Sequence, residues 1–142
     1  MTRVLFVCWH NAARSQMAEA FFEQQAGKEH RATSAGTHAS RTLNHLVIEV
    51  MREVGVDLSR RQPRQLDDDL ILEADVIVSC LAPDPDDYDW PDAPLHRIEW
   101  HVPLPPDENN PTLAELRVLR DSIATHVSEL IRELDKLDAR PV

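Results

Sequence analysis

A cysteine, an arginine and a serine stand close together near the start of the chain, in the stretch CWHNAARS from Cys8 to Ser15. A cysteine thiolate is a strong nucleophile, and the planar fork of Arg14 can bind two oxygens of a tetrahedral oxyanion. Ser15 can donate a hydrogen bond to the thiolate. These residue types predict a thiolate that attacks a bound, phosphate-like anion. The alternative is that Cys8 is a small core residue at the end of a strand.

The segments on either side of this stretch decide whether its groups can converge. Residues 4–7 form an apolar run typical of a strand buried on both faces, and residues 13–26 have a helical pattern. A helix N-terminus leaves backbone N–H groups without partners. Those of residues 12–15 could therefore bind an anion and favour the thiolate form of Cys8. Asn11 tolerates a left-handed conformation and can fix the loop.

Apolar strands and amphipathic helices alternate along the rest of the chain. This alternation predicts an α/β fold with a parallel sheet and helices on both faces. Ligands bind such sheets at the carboxyl ends of the strands, which is where Cys8 stands. Further strands are predicted at 31–35, 74–81 and 96–100, and further helices at 43–54, at 67–73 and from the capping box of Thr112 and Glu115 onward.

The composition limits the classes of function. The 142 residues suit one domain, 1–142, with a single core. A net charge of −10 argues against a nucleic-acid or anionic-membrane partner. The chain has no apolar run long enough to span a membrane, so we expect a cytoplasmic protein. Two cysteines are too few for a disulfide scaffold, and the seven histidines show no metal-binding spacing, so we expect no metal site.

The stretch VLFVCWHNAARSQMAEAFF resembles the signature of the low-molecular-weight protein tyrosine phosphatase superfamily, which includes the thioredoxin-coupled arsenate reductases. The similarity continues in order through TSAGT, EVGVDLS and LDDDLILEADVIVSC. It implies a three-layer sandwich with a four-stranded parallel sheet, in which Cys8 is the nucleophile, Arg14 clamps the oxyanion and Ser15 contacts the thiolate. It also implies that Asn11 organises the loop by bonding to Ser34. The cradle for the anion would be formed by the backbone N–H groups of Trp9, His10, Asn11, Ala12, Ala13, Arg14 and Ser15.

Both branches of this superfamily begin with thiolate attack on a tetrahedral oxyanion, such as arsenate, phosphate or a sulfate-like ion. Gln16 resembles the reductases, because the phosphatases usually carry proline there. The family's general-acid aspartate precedes a proline after the last strand, but here Leu104 precedes Pro105 and the nearest acid is Asp107. The phosphatases also usually carry tyrosines after that pair, and residues 107–115 contain none. The resemblance therefore implies an arsenate reductase. The alternatives are a phosphomonoesterase with Asp107 as the acid, or a non-catalytic oxyanion-binding protein.

The reductase reaction needs further thiols. The thioredoxin-coupled relatives use three cysteines, but Ala13 stands where many carry a second one, and only Cys80 could act as a relay here. Cys80 falls one residue before the family's redox position, which is Leu81 in this chain. A slip of one residue turns a side chain to the opposite face of a strand. Cys80 is thus either an inert buried thiol or the resolving thiol. In the first case an external thiol, with thioredoxin, glutaredoxin or mycoredoxin, would resolve the adduct.

No tightly bound cofactor is expected, although many family reductases bind potassium near the loop through an acid in the segment that matches residues 62–66. This chain carries Arg64 there. Its positive charge could replace the ion and leave Asn11, Glu19 and Ser34 organised without potassium. The alternative is that Arg64 is an ordinary surface residue.

Overall fold

The structure is a computed structural model, and it describes residues 1–138; residues 139–142 of the expected domain lie outside the described residues. The four strands and four helices lie close to the segments that the sequence pattern predicts. They are β1 (Thr2–Cys8), α1 (Arg14–Ala26), β2 (His30–Gly36), α2 (His45–Arg52), α3 (Asp68–Glu73), β3 (Val76–Ser79), β4 (Arg97–Glu99) and α4 (Leu113–Asp138).

The four strands form one parallel sheet in the order β2-β1-β3-β4. β1 lies in the centre, where Val7 pairs with Ala35 of β2 and with Ser79 of β3. Because all strands run in the same direction, their carboxyl ends meet at one edge of the sheet. The loops after β1, β2 and β3 therefore converge around Cys8. The predicted α/β fold with a four-stranded parallel sheet is confirmed.

Successive side chains of β1 point to opposite faces of the sheet and enter two separate apolar clusters. Val4, Phe6 and Cys8 lie in the larger cluster, which also contains buried residues of α1, α2 and α4. Leu5 and Val7 lie in the smaller cluster, together with a buried residue of α3. The core is thus three-layered, as the resemblance implies, but most of its apolar volume lies on the face that bears the larger cluster.

Side chains cap three of the four helices. Asn44 accepts a hydrogen bond from the first turn of α2, and Asp67 does the same for α3. The predicted capping box is present at α4, where Thr112 and Glu115 exchange hydrogen bonds. α1 differs, because Ala13 stands at its N-cap and no side chain caps it. The N–H groups of that helix end are therefore left for another partner. No helix within residues 1–138 has the length and apolar character needed to cross a membrane.

Candidate active site

The candidate nucleophile, Cys8, ends β1 and is buried. Its Sγ lies 2.8 Å from Ser15 Oγ and accepts a hydrogen bond of 3.3 Å from the Asn11 N–H group. Asn11 Nδ2 also donates to Ser15 Oγ at 2.6 Å. Since Ser15 accepts that bond, its own hydroxyl hydrogen is available for Cys8 Sγ. Both the Ser15 hydroxyl and the Asn11 N–H are therefore directed at the sulfur of Cys8.

The loop between Cys8 and α1 is held by Asn11, whose φ of 54° lies in the left-handed region. Its side chain makes four hydrogen bonds and is completely buried. Besides Ser15, Nδ2 donates to Ser34 Oγ at 3.0 Å, while Oδ1 accepts from Gln16 Nε2 at 2.9 Å and from the backbone N–H of Arg64 at 2.8 Å. The implied bond between Asn11 and Ser34 is present. These bonds fix the left-handed residue that turns the loop back toward the helix.

The segment after β2 supports the other side of the loop. The N–H groups of Thr37 and His38 donate to the carbonyls of Cys8 and Trp9. Gly36 packs so closely that an added Cβ would lie 2.8 Å from backbone atoms of Trp9, His10 and Asn11. Any larger side chain at Gly36 would have to displace the loop. The sequence TSAGT therefore supplies both a hydrogen-bond partner, Ser34, and the space that the loop needs.

Two aromatic residues of the loop lie outside the core of the site. The Trp9 ring stacks on His38, with ring centroids 3.8 Å apart and planes at 17°. His10 is exposed, lies along the cavity described below, and its Nδ1 donates to the His38 carbonyl at 3.0 Å. Both contacts fix the outer side of the loop.

Arg14 begins α1, and its side chain is buried although it carries a charge. Nη1 donates to the carbonyls of Cys80 and Leu81, and Nη2 donates to Asp84 Oδ2 at 2.6 Å. Burial works against the charge, but the neighbouring charges of Cys8 and Asp84 raise the pKa of Arg14 above its ordinary value. Arg14 is therefore a fixed positive charge at the mouth of the site.

A cavity of about 680 Å³ opens over Cys8 and Arg14. Its polar lining includes Arg41, His45 and Glu108, and its apolar lining comes mainly from α2, α4 and Leu104. Asp107, the acid expected from the sequence, is not among the lining residues; it accepts a hydrogen bond from the Asn109 N–H at 3.0 Å. Glu108 is the carboxyl group that lines the cavity, and its charge acts on Arg14. No sequence signal indicates this one-residue difference, because the loop has no regular periodicity.

Cys80 follows β3 and is completely buried. Its side chain lies in the same cluster as Cys8, whereas Leu81 lies in the cluster on the other face. Burial, together with the nearby Cys8, raises the pKa of the Cys80 thiol. The slip of one residue therefore turns Cys80 toward the face that holds Cys8.

These positions agree with a match to a known family. Residues 3–84, more than half of the chain, match the model of the low molecular weight phosphotyrosine protein phosphatase family. The chain belongs to this family. An arsenate reductase of Brevibacillus brevis is 31% identical over 128 residues, which cover 89% of this chain and 91% of that protein.

Solved structures of family members match the whole fold. An arsenate reductase in its phosphate-binding state has a TM-score of 0.77 and 28% identity, and the match covers 94% of this chain and 98% of that chain. A thioredoxin-dependent arsenate reductase of Corynebacterium glutamicum has a TM-score of 0.76 and 29% identity. That match covers 95% of this chain, which spans 62% of the longer Corynebacterium chain.

The potassium ion found in many family reductases does not fit the residues present here. A cavity of about 450 Å³ behind the loop is lined by Ser34 and by a single carboxylate, that of Glu19. Arg61 forms an ion pair with that carboxylate, and the cavity is also lined by Arg60 and Arg64. A metal cation would therefore meet a carboxylate that is already paired with the Arg61 guanidinium, in a cavity lined by two further arginines.

The residue that pairs with Glu19 is not Arg64. The sequence left open whether Arg64 replaces the ion or is an ordinary surface residue; Arg64 is exposed and contributes its backbone N–H to Asn11. Arg61, three residues earlier, supplies the positive charge and also pairs with Glu23. The stretch SRRQPR contains three arginines in six residues, and only the path of the loop selects one of them.

Proposed function

We propose that this protein is a thiol-dependent arsenate reductase in which Cys8 is the nucleophile. The observation that carries the proposal is the presence of two thiols on one face of the sheet, Cys8 beside the anion cradle and Cys80 behind it. A phosphatase needs only the first of them. The whole-length similarity to arsenate reductases supports the same choice.

The first step forms a bond between Cys8 sulfur and arsenic. The thiolate, which accepts hydrogen bonds from Ser15 and Asn11, attacks arsenate held by Arg14 and by the N–H groups of the loop. One arsenate oxygen takes up a proton and leaves as water. Glu108 is our candidate for the proton donor because its carboxyl group lines the cavity. Asp107 remains the alternative donor, since it precedes Glu108 in the same loop.

The second step transfers two electrons to arsenic. A second thiolate attacks the Cys8 sulfur, a disulfide forms, and the electron pair of the sulfur–arsenic bond stays on arsenic, which leaves as arsenite. Cys80 is our candidate for the second thiol. The negative charge of Cys8 helps to raise the pKa of Cys80 in the resting protein. In the adduct the Cys8 sulfur is no longer a thiolate, and the remaining negative charge lies on the arsenate oxygens that Arg14 and the loop hold.

The disulfide must then be reduced by an external dithiol. We propose a redoxin of the thioredoxin, glutaredoxin or mycoredoxin type; a structural relative from Corynebacterium glutamicum is described as thioredoxin-dependent. The experiment is arsenite formation from arsenate with each redoxin system in parallel, for wild type and Cys8→Ser. Turnover in at least one system, lost completely in Cys8→Ser, supports the proposal. Arsenite formation by Cys8→Ser would refute it.

A phosphomonoesterase is the second candidate, and the size of the cavity favours it. A volume of about 680 Å³, with an apolar wall that includes Leu43, Val47 and Leu116, leaves room for an organic group beside the bound anion. Hydrolysis of an aryl phosphate between pH 5 and pH 8 tests this candidate. Hydrolysis without arsenate turnover would replace the first proposal, and phosphate binding without either activity would leave an oxyanion-binding protein.

A further inference from the structure

The guanidinium of Arg14 is largely occupied before any anion arrives. Within residues 1–138 it donates to the Cys80 carbonyl at 2.5 Å, to the Leu81 carbonyl at 3.4 Å and to Asp84 Oδ2 at 2.6 Å. An arginine has five N–H donors. An oxyanion that binds without displacing these partners therefore finds two N–H groups of Arg14.

The three acceptors act in different ways. The carbonyls of Cys80 and Leu81 belong to the backbone directly after β3, so they orient the guanidinium without changing the charge of the site. Asp84 adds a full negative charge. Its side chain is 19% exposed and that of Arg14 is 7% exposed, so water screens this ion pair only weakly. The distinct effect of Asp84 is to cancel the positive charge that attracts the substrate.

Other groups near Arg14 add further negative charge to the site. Its charge also interacts with Cys8 and Glu108, both of which are negative when ionised. The whole chain has a net charge of −10. An incoming oxyanion therefore meets the charges of Cys8, Asp84 and Glu108 around Arg14, although Arg41 also lines the cavity, and these like charges lower its affinity.

We propose that Asp84 limits the affinity of the cradle for oxyanions by competing with them for Arg14. Phosphate has the same tetrahedral shape and ionisation as arsenate. A cradle with an unopposed arginine would therefore be blocked by phosphate, and Asp84 keeps it available for an exchange of ligands. This consequence rests on the proposed reductase function, whereas the effect on anion affinity does not.

The test compares Asp84→Asn with Asp86→Asn. Asparagine keeps an oxygen acceptor for Arg14 and removes the charge. Asp86 lies in the same loop, but its carboxylate pairs with Arg97 and accepts from Trp90, so its variant is the matched control. Calorimetric titration with inorganic phosphate should show a Kd about three- to tenfold lower in Asp84→Asn and unchanged in Asp86→Asn.

Two further readouts separate this role from a purely structural one. Alkylation of Cys8 by iodoacetamide should become faster at a given pH in Asp84→Asn, because the unopposed guanidinium favours the thiolate. In arsenate turnover, KM should fall while kcat does not rise. Unchanged or weaker phosphate binding by Asp84→Asn would overturn the proposal. Loss of the fold in Asp84→Asn would also overturn it, because the backbone carbonyls of Cys80 and Leu81 should hold Arg14 in place without the charge of Asp84. If Asp84→Asn binds phosphate more tightly but neither this variant nor the wild type turns over arsenate, the role of Asp84 in anion affinity stands and the proposed reductase function is rejected.

Discussion

The side chains of Cys8 and Cys80 lie on the same face of the sheet, one position beyond the paired residues Val7 and Ser79 of neighbouring parallel strands. The Cys80 N–H donates to the Val7 carbonyl at 2.7 Å, which extends the pairing past the end of β3. Adjacent strands are about 4.8 Å apart, and disulfides join Cα atoms at about 4.4–6.8 Å. The backbone positions are therefore compatible with a disulfide between the two residues.

The first prediction concerns this disulfide. When wild type is incubated with arsenate without a reductant, Cys8 and Cys80 should become linked, and intact-mass analysis should show the loss of two hydrogens. Cys80→Ser should lose steady-state reduction with a redoxin but still bind phosphate, because only the second step needs Cys80. Cys8→Ser is the control that forms no disulfide. Arsenate turnover by Cys80→Ser at the wild-type rate with a redoxin would assign the resolving thiol to the external partner.

The second prediction assigns the acid. Glu108→Gln should lower kcat by about 10²-fold, the usual contribution of a general acid. Asp107→Asn should have little effect on kcat, because its carboxylate caps the loop and does not line the cavity. The measurement is kcat between pH 5 and pH 8 for both variants. The reverse pattern would return the role to Asp107.

The sequence predicted the parts of the fold and of the site that lie in strands and helices, because their apolar residues follow regular patterns. The buried strands follow continuous apolar runs and the amphipathic helices follow apolar repeats of 3.6 residues, and Cys8, Arg14 and Ser15 come together because they lie within one strand–loop–helix unit. Asp84, Glu108 and Arg61 lie in irregular loops, where no repeat indicates which neighbour points inward. Tertiary contacts alone determine their places, such as the bond between Arg14 and Asp84.

The third prediction tests the space beneath the loop. Gly36→Ala should displace the loop, because its Cβ would lie 2.8 Å from three backbone atoms of residues 9–11. A misplacement of about 1 Å in a catalytic group can cost about 10²-fold in rate, so kcat should fall by a similar factor. Gly27→Ala is the control, since it has the strain of a positive φ but no atom within 4 Å. It should lose stability without losing activity, and equal kcat losses in both variants would contradict this explanation.

The fourth prediction concerns the pair formed by Arg61 and Glu19. The melting temperature and phosphate affinity of the wild type should be the same in potassium and sodium chloride, because Arg61 already neutralises the carboxylate. Arg61→Ala should be destabilised by about 1–3 kcal/mol, since it leaves the mostly buried Glu19 without its partner. Arg60→Ala, in the same cavity, is the control and should be near neutral. A potassium-specific rise in the wild-type melting temperature would show that the cavity does bind the ion.

The fifth prediction concerns acid stability at the contact between α2 and α4. Hydrogen bonds from Arg117 and Arg120 lower the pKa of Glu53 from 4.5 to about 2. A carboxyl group with a lowered pKa in the folded state stabilises the protein above its unfolded pKa, and this contribution is lost as the pH falls through the folded value. Glu53→Gln should therefore melt a few degrees lower than wild type at pH 7, and the difference should shrink between pH 4.5 and pH 2. Glu133→Gln, which removes only an exposed pair with Lys136, should show almost no difference at any pH. A melting difference for Glu53→Gln that stayed constant down to pH 2 would show that its ionisation does not contribute to stability.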